Sequence, residues 1–132
     1  DKFYLVDLPG YGFANVPQKV KEEWGELIDS YLQYRENLMG IVQIIDARHK
    51  PTKDDKMMVD WLKASGLSFL IAATKVDKIS NNKRAKQKKL IFKELKLNRE
   101  DNFVFFSAET GEGSKAVYSY LEDLVEMAEN RR

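Results

Sequence analysis

The sequence predicts an α/β fold built on a mostly parallel sheet, and two observations carry that expectation. Short apolar runs alternate with amphipathic segments of helical spacing, the pattern of a parallel sheet covered on both faces. The polar residues best suited to chemistry, Asp7, Thr74 to Asp77 and Ser107 to Glu109, each follow directly on an apolar run. In sheets of this kind ligands bind outside the carboxyl ends of the strands.

The elements follow in order. Phe3 to Val6 is an apolar run closed by Asp7, after which Gly10 and Gly12 break regular structure, so it reads as a buried strand entering a loop. From Pro17 to Leu38 the residues Val20, Trp24, Leu27, Ile28, Tyr31 and Leu32 recur at three- and four-residue spacing, as one face of a long helix does. Ile41 to Ile45 is a second strand, ending at Asp46. Thr52 with Asp55 three residues on is a helix start signal, and that helix should stop at Gly66. Phe69 to Ala73 is a third strand, Asn82 to Lys96 a basic helix, Phe103 to Phe106 a fourth strand and Lys115 to Glu129 a closing helix. The order is βαβαβαβα, without internal repeats or low-complexity linkers.

A chain of 132 residues, 43% apolar and 33% charged, fits one domain with a real core. It has no cysteine, which excludes disulfides and cysteine-ligated metal and permits a reducing cytoplasm. No apolar stretch approaches the roughly 18 residues that span a bilayer, and the N-terminus lacks a signal-peptide layout. The expectation is a soluble, cytoplasmic protein. The net charge of +1 conceals an asymmetry: Lys75 to Lys96 holds nine bases and two acids, a balance of +7, against −6 for the remainder. Segregation of that size steers polyanions.

Three signatures carry the chemistry: Asp7-Leu8-Pro9-Gly10, Thr74-Lys75-Val76-Asp77 and Ser107-Ala108-Glu109. Guanine presents two adjacent donors, N1–H and the 2-amino group, and the carboxylate of Asp77 offers two acceptors at matching separation. Adenine has an acceptor at N1 and no 2-amino group, so guanine is preferred. Lys75 can lay its aliphatic stem along the base. Ser107 can hold Asp77 in position, and a backbone N–H of Ala108 or Glu109 can donate to guanine O6. Asp7 suits outer-shell coordination of Mg²⁺ through water, and the unhindered N–H of Gly10 can donate to a terminal phosphate. The plainer readings are an exposed ion pair at Lys75 and Asp77 and a strand-ending turn at Asp7.

In the order DLPGYG, TKVD, SAE, these motifs resemble the TRAFAC-class small GTPases. DLPGYGFA, YLQYRENL, the run Asp46 to Asp55 and ATKVDKI are similar to the EngB (YihA/YsxC) family of ribosome-assembly GTPases, over nearly the whole chain. The resemblance implies a Ras-like P-loop GTPase architecture and a bacterial cytoplasmic protein acting on the large ribosomal subunit. Its nucleotide-site residues would be Asp7, Gly10, Thr74, Lys75, Asp77, Ser107, Ala108 and Glu109, with GTP or GDP as ligand and Mg²⁺ as cofactor.

Three features depart from the general pattern. Thr74 stands where Asn is commoner, which shortens or removes one tie from the base loop to the phosphate loop. Tyr11 follows Gly10, where Ras-type proteins place a water-orienting Gln, and a phenol with a pKa of about 10 serves that role poorly. No GxxxxGK[ST] occurs in these residues. Residues 1–132 are therefore read as the C-terminal portion of a single GTPase domain, without its N-terminal strands and phosphate loop and expected to bind GTP weakly or not at all in isolation.

The basic helix carries Lys83, Arg84, Lys86, Lys88, Lys89 and Lys93, which can reach RNA phosphates or form a solvated face. Trp24, Tyr31 and Tyr34 can form a partner surface or pack in the core. His49, the sole histidine, reads as an exposed loop residue. The competing functions are a non-catalytic RNA-binding or scaffold module with a GTPase-like fold, and a phospho-acceptor receiver domain with Asp46 as acceptor. The receiver needs an acidic pair ending its first strand, and Asp7 is followed instead by Leu-Pro-Gly.

Overall fold

A computed structural model of the chain describes residues 3–7, 18–34 and 36–131. Residues 1–38 and residues 39–132 form two compact units. Among the described residues no helix is long and apolar enough to cross a membrane.

In the first unit, the expected strand at residues 3–6 is absent. Residues 3–7 have no regular structure, and Phe3, Tyr4 and Leu5 are 56%, 88% and 77% exposed. Apolar β-formers make a strand only where a neighbour accepts and donates their backbone hydrogen bonds, and the described strands pair only among themselves. The expected helix is present as α1, Gln18–Tyr34. Ile28 and Leu32, one turn apart, are buried, whereas Leu27 is 59% exposed and drops out of the expected stripe. The side chains of Val20, Trp24 and Tyr34 lie outside what is described, while Tyr31 is half-buried.

The second unit holds β1 (Gly40–Asp46), α2 (Lys53–Ser65), β2 (Ser68–Thr74), α3 (Asn81–Leu95), β3 (Asn102–Phe105) and α4 (Ser114–Asn130). All three strands are parallel, in the order β1-β2-β3, with Asp46 opposite Thr74 and Ala73 opposite Phe105. The α/β class and parallel sheet are as expected. Alternation along the strands divides the side chains between two faces. Ile45, Ile71 and Ala73 join Val59 of α2 and Ile91 and Leu95 of α3 in one buried cluster. Leu62, Ile71 and Ile91 are fully buried, each contributing roughly 1.5–3 kcal/mol of apolar transfer.

The other face meets α4. A Cβ on Gly40 would lie 2.6 Å from Leu124 Cδ1 and 2.8 Å from the Tyr120 hydroxyl, so β1 and α4 approach there more closely than any side chain allows. Tyr120 and Ser68 share a hydroxyl–hydroxyl bond of 2.7 Å, and burial raises the Tyr120 pKa.

The capping box at α2 is as expected. Asp55 N–H donates to Thr52 Oγ1 at 3.0 Å, Thr52 N–H donates to Asp55 Oδ2 at 2.9 Å, and the helix stops at Gly66. Glu94 of α3 ties the two helices of that layer, with Lys56 at 2.7 Å and Lys50 at 3.4 Å, and Lys56 first and Lys50 second hold its carboxyl below the usual range.

The start of α4 depends on Gly113, where φ is +86° and an added Cβ would lie 2.1 Å from the Phe105 carbonyl oxygen. At Gly111 φ is +81°, but the space beyond is open. Gly111→Ala should therefore cost only left-handed strain, about 1 kcal/mol, while Gly113→Ala must also displace backbone. Urea unfolding should show the second loss at least twice the first; equal losses would mean that the contact with β3 does not constrain the loop.

Candidate functional site

Three loops converge at the carboxyl end of the sheet because the register brings their strands out together. β1 ends at Asp46 beside the last residue of β2, Thr74. β3 runs on past its last ladder residue: Phe106 N–H donates to Ala73 O at 2.8 Å, and Phe106 O accepts from Val76 N–H at 3.2 Å. The second of these bonds locks the loop after β2 to the loop after β3. It also places Ser107 beside Asp77.

Thr74 does not reach away from the sheet. Its Oγ1 donates to Ile45 O at 3.0 Å, so the hydroxyl ties the start of this loop to the end of β1. Lys75 is left-handed, with φ +63° and ψ +30°, a conformation costing a non-glycine residue roughly 1–2 kcal/mol. The turn it makes leads into a short 3₁₀ segment, Val76–Lys78, with Val76 fully buried as an anchor. Asp77 follows that anchor and stands at the mouth of the loop.

Ser107 is fully buried, and its Oγ donates to Asp77 Oδ1 at 2.8 Å while accepting from Thr110 N–H at 3.1 Å. Ser107 N–H donates to Glu112 O and Gly111 N–H to Ser107 O, both at 2.9 Å. The serine is thus fixed by its own loop before it touches Asp77. The Ser107 hydroxyl holds the Asp77 carboxyl below the usual carboxylate range, with Lys78 adding to the shift.

Thr74, Lys75, Asp77, Ala108 and Glu109, together with Arg48, line a cleft of about 390 Å³. The guanine-site residues expected in residues 74–109 are therefore brought together. Asp7 is exposed and belongs to the other compact unit, and Gly10 and Tyr11 lie outside the described residues.

Arg48 and Asp46 enter the site without having been singled out for it. Asp46 Oδ1 accepts from Arg48 N–H at 2.9 Å and from Arg48 Nε at 3.0 Å, and Oδ2 pairs with the other guanidinium nitrogen at 2.8 Å. Lys75 Nζ stands 3.6 Å from the same Oδ2. Arg48, with a smaller contribution from Lys75, drives the Asp46 carboxyl well below the ordinary range, and Asp46 in turn raises Arg48. The sequence signal was the strand-ending Asp46, whose register opposite Thr74 brings it to the loop after β2.

On α3, Lys83, Lys86, Lys89 and Lys93 are exposed. Two of the expected phosphate contacts are otherwise engaged. The Lys88 ammonium sits over the rings of Phe92 and Phe103, at 5.5 and 5.7 Å, and Arg84 pairs with Glu112 at 2.5 Å. His49 is an exposed turn residue whose carbonyl accepts from Gln87.

Comparison with known proteins gives this geometry a family. Residues 1–75 match the family described as 50S ribosome-binding GTPase. The chain is 68% identical over 127 residues to the probable GTP-binding protein EngB of Halothermothrix orenii, covering 96% of this chain and 64% of that protein. It is 48% identical over 122 residues to the probable GTP-binding protein EngB of Lactiplantibacillus plantarum, covering 92% and 62% respectively. The chain thus spans a little under two thirds of the length of these curated relatives. A crystal structure of a probable GTP-binding protein engB superposes with a TM-score of 0.78, covering 92% of this chain and 77% of that one at 18% identity, which establishes the shared Ras-like fold. With the residues of the loops after β1, β2 and β3 assembled at one edge of a parallel sheet, the chain belongs to the family of 50S ribosome-binding GTPases, in its EngB branch.

Proposed function

We propose that this chain is the guanine-reading part of a single G domain that cycles between GTP and GDP and acts in assembly of the large ribosomal subunit. The observation that carries the reading is the Ser107 Oγ–Asp77 Oδ1 bond of 2.8 Å, which fixes a carboxylate kept ionised at the mouth of the cleft. Asp77 accepts N1–H and the 2-amino group of guanine. Lys75 covers the base, Thr74 braces the loop against β1, and a backbone N–H of Ala108 or Glu109 donates to O6. The curated relatives are named as probable GTP-binding proteins, which supports the same ligand.

Asp7 and Gly10 sense the terminal phosphate on this reading. Magnesium needs only one or two carboxylates when phosphate oxygens complete its shell, and the exposed Asp7 fits a contact through water. When bound, the ion neutralises phosphate charge. Tyr11 orients water poorly, so intrinsic hydrolysis is slow.

Lys83, Lys86, Lys89 and Lys93 of α3 give the domain an exposed cationic face for ribosomal RNA. The family description names the large subunit, which supports that partner. Each phosphate neutralised releases counterions, so affinity falls steeply with salt.

Three outcomes test the reading, each on the full-length protein. Asp77→Asn presents one donor and one acceptor, matching xanthine instead of guanine. Fluorescent-nucleotide titration should show GDP affinity falling about 10- to 100-fold while xanthosine diphosphate gains; unchanged guanine selectivity removes Asp77 from the reader's role. Reversing Lys86 and Lys89 to Glu should weaken binding to 50S particles and flatten its salt slope by about two contacts in sedimentation assays. An unaltered slope would exclude this helix from the contact.

The third outcome is a pH dependence. Asp46 and Asp77 have folded pKa values below the unfolded value near 3.9, so their stabilisation is complete above that value and is lost as pH falls below about 4. Guanine affinity should be level between about pH 5 and 8. Asp46→Asn should flatten the loss of unfolding free energy below about pH 4; an acid limb identical to that of the unsubstituted protein would mean the Arg48–Asp46 fork contributes nothing in solution.

A further inference from the structure

The loop that supports Asp77 contains a second charged contact, between residues that do not line the cleft. Glu112 lies between Gly111 and Gly113, both left-handed with φ of +81° and +86°. A segment flanked by two glycines has more conformational freedom to lose than any other, so its geometry depends on what anchors it. Glu112 is anchored by three contacts. Its main chain accepts from Ser107 N–H at 2.9 Å, and its N–H donates to Thr110 Oγ1 at 3.2 Å. Its carboxylate pairs with Arg84 of α3 at 2.5 Å.

Arg84 is not an ordinary surface base. Its side chain is 26% exposed, and its Nε is shut off from solvent with no hydrogen-bond partner among the described residues. The guanidinium is held against the protein, directed at Glu112. From there a continuous chain of polar contacts runs inward: Arg84 to the Glu112 carboxylate, the Glu112 carbonyl to Ser107 N–H, and the Ser107 hydroxyl to Asp77. α3 itself begins at Asn81, three residues after the 3₁₀ segment that carries Asp77. The helix that follows the base-reading loop is therefore clasped to the loop that supports it.

Resting on the guanine-binding reading above, we propose that the Arg84–Glu112 pair is a latch that sets how long guanine nucleotide stays bound. Both are positioning residues, acting through Ser107 on Asp77, and neither touches the base. With the latch closed, the loop holds the Ser107 hydroxyl on the carboxylate. Opening it leaves the Gly111–Gly113 segment on its main-chain bonds alone, and the brace on the reader loosens. Partly exposed ion pairs contribute little each, so the effect is on residence time and is a few-fold in size.

The test is the dissociation rate of fluorescently labelled GDP from the full-length protein, measured by stopped-flow displacement. Arg84→Glu and Glu112→Arg should each accelerate release by about two- to fivefold, and the double reversal, which restores attraction with the signs exchanged, should return the rate close to its original value. Arg84→Gln, which keeps most of the stem and removes the charge, should accelerate release in the same direction but no more than the single reversals, and serves if either of them fails to fold. Arg99→Glu, a like charge change in an exposed turn, should leave the rate alone. Unchanged release in Arg84→Gln, or a double reversal no slower than the singles, overturns the latch while nucleotide binding stands. Absence of GDP binding by the unsubstituted protein overturns the guanine reading and the latch together.

Discussion

The site depends on one hydrogen bond between two loops, from the buried Ser107 hydroxyl to the Asp77 carboxylate. A lone carboxylate on a surface turn samples many orientations, and paired acceptors recognise guanine only when both oxygens are aimed. The serine supplies the aim. It can do so because β3 continues beyond its ladder, through the Phe106 bonds to Ala73 and Val76, and carries Ser107 alongside the 3₁₀ segment. On the proposed reading, the parallel register of β2 and β3 is part of the recognition chemistry.

Most of the charge around the cleft has a counterpart. Asp46 holds Arg48 in a fork and keeps Lys75 near by, so two cations line the cleft without confronting one another unscreened. Asp77 remains ionised because its partners are a hydroxyl and Lys78, which favour the carboxylate over the acid. The left-handed backbone of Lys75 is tolerated because Val76 is buried on one side of it and Thr74 is bonded to β1 on the other. Strain at Lys75 is offset by the packing that surrounds it.

Much of this was legible from residue order. The Thr52–Asp55 box, the stop at Gly66 and the three strands after residue 40 are local signals, and local signals survive into the fold. The bond between Ser107 and Asp77 was legible too, because serine and carboxylate at successive strand ends have little else to meet. Phe3 to Val6 failed as a strand because strand formation needs a paired neighbour, which composition cannot supply. Leu27 failed as a buried position because spacing defines a stripe but not its width. Arg48 and Glu112 were illegible for a different reason: their roles come from which loops the register brings together. Arg84 read as one more base on a basic helix, and only its enclosure beside Glu112 separates it from Lys83 and Lys86.

The central claim is that Asp77 is held as a pair of acceptors facing the base. A crystal structure of the full-length protein with GDP measures this directly. The account predicts the Asp77 oxygens within hydrogen-bonding distance of guanine N1 and the 2-amino nitrogen, with the Ser107 hydroxyl still on the carboxylate. A bound purine ring with that carboxylate turned away from it would contradict the account.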